Sequence, residues 1–333
     1  MVMSESFIYN LAVPSAALLK YEDASRLAFE TSSWVHLNCY VGKVENLTTE
    51  FNSGSAATGV ALEKLRTETL KFGSPKRLRQ LVAENPNALA DDEPPPMLYA
   101  SIVWWGHRLH ESAASVVSFS QSVMELAKSG ADVKEGLQCL GGQAEKARNP
   151  IGPLIATLKT FKVGILSANN ALSETCKIDA QSLQQMQEAV GGMKYKVESL
   201  KKQIDKLGFF SSGKKKQLEL ELQSLRQQLA DKTASAEKLR AALGELEPIL
   251  SEGYWLQTGV DDLVDFLDKL RKVWTTFGSG VAQLAADASD AQLEDQVWMK
   301  KALGIEEAIK QWTAIDRAVK QFMAESLVDI PSD

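Results

Sequence analysis

The sequence predicts an all-α protein: an elongated helical bundle, the tail, from which a long antiparallel coiled-coil hairpin projects to a small head or tip. Three observations predict it. An apolar heptad register runs through Leu183, Met186, Val190, Met193, Val197, Leu200, Ile204 and Leu207, breaks at Gly208–Phe209–Phe210–Ser211–Ser212–Gly213, and resumes at Leu218, Leu222, Leu225 and Leu229. Lys232 fills one core slot, and Ala236, Leu239, Leu243, Leu246 and Leu250 continue the same steps of three and four. Persistent period-two alternation, the mark of a half-buried strand, is nearly absent. All seven tryptophans (Trp34, Trp104, Trp105, Trp255, Trp274, Trp298 and Trp312) fall outside the hairpin, in the N-terminal and C-terminal thirds, where a thick bundle would bury them.

The elements follow in order. Residues 1–14 read as an arm. From Ser15 to Glu50 an apolar stripe through Leu18, Leu19, Leu27, Trp34, Val35, Val41, Val44 and Leu47 predicts a helix, and a second runs from Ala57 to Phe72. Gly73–Ser74–Pro75 predicts a stop and a restart, with Ser74 capping a helix whose first residue is proline. Pro94–Pro95–Pro96 cannot lie inside a helix, so residues 85–96 form a connection. A helix over 98–129 buries Ile102, Trp105, Leu109, Ala113, Val116, Phe119 and Val123. A further helical stretch runs to Arg148, and Asn149–Pro150–Ile151–Gly152–Pro153 is a second connection. The central helices then span 154–207 and 214–250. Ile151 to Leu172 is strongly apolar, but Lys159 and Lys162 interrupt it, and it reads as a bundle core helix rather than a membrane span. A helix over 254–277 places Trp255, Leu263, Phe266, Leu270, Trp274 and Phe277 on one seam. Gly278–Ser279–Gly280 is expected to interrupt the chain. A last helix over 290–327 carries Trp298, Ile305, Ile309, Trp312, Ile315, Val319 and Phe322, with Gly304 as its weak point. The domain reading is therefore a tail bundle of residues 1–150 and 251–333, and a stalk and hairpin of residues 151–250 with the tip near 194–216.

Composition narrows the function. The net charge of −6 argues against a nucleic-acid partner. Three cysteines, Cys39, Cys139 and Cys176, are too few and too widely spaced for a disulfide framework and read as buried thiols. No run of 18 apolar residues is present, so no ordinary spanning helix is expected. The N-terminus lacks a basic region before an apolar core, so any export would follow a route without a signal peptide of the usual kind. His107 and His110 share a helix face beside Glu111, but a zinc site needs a third ligand. The carboxylates Asp261, Asp262, Asp265 and Asp268 precede Lys269, Arg271 and Lys272, an order that complements a helix dipole. No glycine-rich phosphate loop or activated nucleophile is recognisable. Neither a catalytic residue nor a cofactor or metal is expected; the chain reads as a non-enzyme.

What remains is the tip. Between Lys194 and Lys216 eight lysines (Lys194, Lys196, Lys201, Lys202, Lys206, Lys214, Lys215 and Lys216) face only Glu198 and Asp205, and Phe209–Phe210 sits between the runs. Turns favour Gly, Asn, Asp and Ser, not paired phenylalanines. Each phenylalanine contributes roughly 1.5–3 kcal/mol when buried, and each lysine about 1 kcal/mol beside an anionic lipid surface. Phe209, Phe210, Lys206, Lys214, Lys215 and Lys216 are thus the expected membrane contacts. The alternative is that the phenylalanines fold back over the end of the seam while the lysines keep a rod solvated.

With Leu154–Leu207, the 208–213 tip, Lys214–Leu250 and the tryptophan-bearing helices in place, the pattern resembles the cytolysin A-like α-helical pore-forming toxins, including haemolysin BL, non-haemolytic enterotoxin components and the xenorhabdolysins. The single-component members of that group carry an apolar tongue of about 20 residues in the head; this chain offers only Leu207–Phe210, and so looks more like a xenorhabdolysin B-type subunit. The resemblance implies a protein that is exported in soluble form, meets target-cell membrane lipids, and oligomerises there with itself or with a more hydrophobic companion subunit. It also implies rearrangement of the tail, for which Gly191, Gly192, Gly253, Gly278 and Gly280 are hinge candidates. The rival reading is a cytoplasmic, non-enzymatic coiled-coil scaffold or tether.

Overall fold

A computed structural model describes residues 11, 17–21, 23–47, 55–90, 93–125, 129–207 and 212–326. It is all-α: eleven α-helices among the described residues, with a single isolated bridge, Leu19 to Leu27, in place of any sheet. In order they are α1 (Ser32–Asn46), α2 (Ala56–Phe72), α3 (Pro75–Glu84), α4 (Leu98–Glu125), α5 (Gly130–Arg148), α6 (Ile151–Lys206), α7 (Ser212–Glu252), α8 (Leu256–Asp287), α9 (Asp290–Glu294), α10 (Gln296–Leu303) and α11 (Ile305–Glu325). A 3₁₀ turn, Gly253–Trp255, joins α7 to α8.

The chain divides into two units. Unit 1 comprises Met1–Gly42, Thr69–Gly164 and Trp255–Asp333. In it α11 packs along α4 and α5 along α8. Its core is aromatic. Trp105, Trp274, Trp312, Phe29, Phe72 and Phe266 are fully buried. Phe29 meets Phe266 at 4.9 Å and Phe322 at 5.2 Å between ring centroids, and Trp274 meets Trp312 at 5.1 Å. Such pairs add about 0.5–1.5 kcal/mol each beyond the area they bury.

Among the described residues the helix expected from Ser15 does not begin before Ser32. Residues 17–21 and 23–31 instead form a tight turn pinned to the bundle. The Asp23 carboxylate accepts from the Ser25 N–H at 3.0 Å and from its hydroxyl at 2.5 Å, Lys20 N–H donates to Arg26 O at 2.9 Å, and Ala28 N–H to Leu18 O at 2.9 Å. This local side-chain bonding offers the backbone an alternative to the helix. Leu18, Leu27 and Phe29 are buried all the same. Arg26 reaches Glu325 with both terminal nitrogens, at 2.9 and 3.1 Å. Ser74 caps α3 as expected, accepting from Arg77 N–H ahead of Pro75. Gly278–Ser279–Gly280 does not interrupt α8; a Cβ on Gly278 would stand 3.3 Å from the Ala144 Cβ, so the glycine lets α5 lie close. The last predicted helix is three. Asp295 caps α10 through two N–H groups, and Gly304, at φ 57°, ends it in the left-handed conformation glycine tolerates.

Unit 2 comprises Lys43–Glu68 and Ile165–Tyr254. The part of α6 within it and α7 are each about 60 Å long at 1.5 Å per residue. They run antiparallel, because Val197, Leu200 and Leu222 form one buried cluster with Ile204, Leu218, Leu225 and Leu229 against it. Every predicted seam residue from Leu183 to Leu250 is buried or half-buried, Lys232 included. Toward the ends nearer α1 and α2 the buried face broadens to Ala242, Leu246 and Ile249. There Asp179 of α6 accepts from the hydroxyls of Ser55 at 2.9 Å and Thr58 at 2.7 Å, and Lys43 pairs with Glu252 at 3.1 Å.

The apolar stretch from Ile151 buries one face of α6 through Ile151, Ile155, Leu158, Phe161, Ile165, Ala168 and Leu172, while Val163 on another face is 70% exposed. By length and composition alone one run, Gly130–Lys206, contains an 18-residue stretch apolar enough to cross a membrane, and 39% of it is buried.

Candidate membrane-contact site

The tip is built by the register beneath it. Ile204 and Leu218 pack on the buried cluster of Val197, Leu200 and Leu222 on its side toward the tip, and half-buried Leu207 follows Ile204. Lys206 ends α6, and Lys214, Lys215 and Lys216 stand in the opening turns of α7. All four are exposed, and none has an ion-pair partner among the described residues. Phe209 and Phe210 lie outside the described residues.

The two helix ends are not electrostatically equivalent. A cation at a helix C-terminus, as Lys206 is, meets the negative end of the dipole. Cations at an N-terminus meet the positive end and are disfavoured. The first turn of α7 carries no acid to offset Lys214, Lys215 and Lys216. The tip thus concentrates positive charge where the backbone already supplies it, an arrangement an external anion relieves.

One exposed aromatic on the hairpin escapes the heptad reading. Tyr195, between Lys194 and Lys196, is 79% exposed. It lies off the seam register, and that mismatch, an aromatic at an outward position between two lysines, was the available sequence signal.

The hinge candidates occupy different settings. Gly191 and Gly192 lie inside α6 and Gly280 inside α8, each with open space where a Cβ would stand. Gly253 belongs to the 3₁₀ turn, and a Cβ there would come within 2.6 Å of the Asn169 side chain.

Elsewhere the histidines of α4 face acidic side chains. His110 Nδ1 lies 2.5 Å from Asp316 Oδ1, which ties α4 to α11, whereas His107 Nε2 is 3.9 Å from Glu111. Among the described residues no group of three His, Cys, Asp or Glu side chains could hold a metal ion. Of the thiols only Cys176 is buried, and its burial pushes it up to about 11; Cys39 is half-buried and Cys139 exposed.

No family model matches the sequence, and no curated protein matches it. Solved structures do match the fold. The SmhB pore of the tripartite alpha-pore forming toxin Smh from Serratia marcescens aligns with a TM-score of 0.56 at 12% identity, over 91% of this chain and 99% of that one. This is the fold of the tripartite alpha-pore-forming toxins. Soluble AhlC of the tripartite toxin AHL from Aeromonas hydrophila aligns at a TM-score of 0.53 and 11% identity, over 88% of this chain and 98% of that one. The Bacillus cereus HblL1 toxin component gives 0.51 at 12% identity, over 97% and 99%.

Proposed function

We propose that this chain is a non-enzymatic component of a multi-subunit alpha-pore-forming cytotoxin, which binds target membranes through the hairpin tip of unit 2 and oligomerises with a more hydrophobic partner. The observation that carries the reading is the unpaired cluster Lys206, Lys214, Lys215 and Lys216 on a two-helix hairpin, in a fold shared with tripartite toxin components. Lipid phosphates supply the anion that the N-terminal end of α7 lacks. Phe209 and Phe210 enter the interface between the lysine runs, and Tyr195 adds an amphipathic ring of the kind that settles at headgroup level.

The tip is short of apolar length, which favours a role as the less hydrophobic partner, similar to a xenorhabdolysin B-type subunit, over a component lytic by itself. The protein is exported in soluble form and acts at the target-cell membrane. After docking, Gly253 and the glycines within α6 and α8 absorb the rearrangement that assembly requires.

Sedimentation with vesicles containing anionic lipid, with dye release from the same mixtures, tests this. The wild type is expected to sediment without releasing dye. Phe209→Ser/Phe210→Ser weakens binding with helicity unchanged, and Lys214→Gln/Lys215→Gln/Lys216→Gln costs about 1 kcal/mol per lysine at low salt. Release by the protein alone would overturn the companion-subunit reading. Equal binding by wild type and both variants would remove the tip from the mechanism.

A further inference from the structure

Unit 1 contains a second concentration of cationic and hydroxyl donors, far in sequence from the hairpin lysines. A shallow, open surface cleft of about 510 Å³ is lined by half-buried Arg148 and Gly152 and by exposed Asn149, Arg271, Lys272, Thr275 and Thr276. No acid and no large apolar side chain lines it. Every lining side chain except that of glycine can donate a hydrogen bond. The chain as a whole carries an excess of acids, 43 against 37 basic residues, whereas three cations and no acid line this cleft.

The elements explain the convergence. Arg148 and Asn149 close α5, and the Asn149–Pro150 junction turns the chain into α6, whose second residue is Gly152. Because α5 packs along α8, this junction lies beside the α8 stretch carrying Arg271, Lys272, Thr275 and Thr276. The nearest acids only partly occupy the cations. Arg148 Nη2 is 3.9 Å from Glu145 and 3.4 Å from Asn149 Oδ1, and Arg271 Nη2 donates to Asp268 at 2.9 Å. Lys272 has no ion-pair partner among the described residues. The Thr275 hydroxyl donates to Arg271 O at 2.8 Å. Gly152 adds no bulk to the lining, and a Cβ there would meet nothing within 4 Å.

We infer that this cleft is a binding site for a phosphate group, held by Arg148, Arg271 and Lys272, and distinct from the hairpin tip. Guanidinium forks match phosphate geometry, and a neighbouring ammonium supplies a further point charge. The shared chemistry is a phosphomonoester or phosphodiester, whether free in solution or carried on a lipid headgroup.

Equilibrium dialysis with radiolabelled inorganic phosphate, at constant ionic strength, tests the site. Lys272→Gln, Arg271→Gln and Gly152→Glu are each expected to weaken binding at least tenfold. Gly152→Glu places a carboxylate in open space, so its thermal unfolding should match that of the wild type and separate loss of the site from loss of fold. Lys214→Gln/Lys215→Gln/Lys216→Gln should leave phosphate binding within twofold. No saturable binding by the wild type, equal binding by the cleft variants, or loss in the tip variant instead would overturn the inference. Sedimentation with phosphatidylglycerol vesicles then assigns the source. Reduced vesicle binding by the cleft variants identifies a lipid headgroup, and unchanged vesicle binding with lost phosphate binding identifies a free phosphate ligand.

Discussion

Unit 1 and unit 2 are helical for different reasons. Unit 1 surrounds large rings, with Trp105, Trp274, Trp312 and Phe266 at 2% exposure or less, and its helices are held by contacts distant in sequence. The part of the hairpin of unit 2 over 183–229 has only a two-helix seam, in which Val197, Leu200 and Leu222 reach 6–9% exposure and the remaining seam residues stay half-open. A core of the first kind tolerates little change at single positions because many elements share each ring. A seam of the second kind spreads its stability thinly along its length. It suits a segment that has to project and touch something, since elements that move or bind are drawn from the less stable part of a structure.

The largest expected effect breaks the stronger side of that comparison. Phe266→Ala should cost about 3–5 kcal/mol in urea unfolding, the range for emptying a buried aromatic site, while Leu222→Ala, at the edge of solvent, should cost nearer 2. If the two costs are equal, the contrast between the units fails.

The next sharpens it through pH. Glu30, 8% exposed in unit 1, accepts from Leu27 N–H and lies 3.5 Å from Arg26. Burial pushes its carboxyl from 4.5 up to about 7, outweighing the Leu27 N–H and Arg26, which favour the charged form. The folded state therefore holds this proton more tightly than the unfolded state does. The stability it confers is complete below about 4.5 and is lost as pH rises through about 7, a change on the order of 3 kcal/mol. Glu30→Gln should flatten that part of the pH profile and raise stability at pH 8.

The smallest compares two indoles buried alike. Trp312 Nε1 donates to Leu11 O at 3.0 Å, whereas Trp274 Nε1 has no partner among the described residues. Trp312→Phe should cost about 1 kcal/mol more than Trp274→Phe, because only the former strands an acceptor.

The hairpin was legible because a heptad repeat is both local and periodic. Leu200 and Leu222 announce their partnership through spacing alone. The Ser74–Pro75 start was legible for the same local reason. The turn over 17–21 and 23–31 was not. Its leucines and Phe29 are buried either way, and what decides against a helix is the Asp23 side chain capturing Ser25. The passage of α8 through Gly278 was hidden because two interior glycines cost about 1 kcal/mol each against alanine, a deficit that tertiary packing against Ala144 offsets. At the tip the lysines were legible as a charge run. Their place at the start of α7 followed from the helix expected over 214–250, whereas Tyr195 was missed because it lies off the register. The phosphate cleft has no signature in the sequence at all, since Arg148 and Lys272 meet only through the packing of α5 on α8.

The account rests on the hairpin tip, rather than unit 1, meeting the membrane first. The most direct measurement places a polarity-sensitive dye at Gln217→Cys, beside the lysine cluster, or at Thr313→Cys, exposed on α11, in a chain whose exposed Cys139 is replaced by serine. Adding anionic vesicles should blue-shift the dye at 217, with the shift reversed by salt, and leave the dye at 313 unchanged. A shift at 313 with none at 217 would contradict the account.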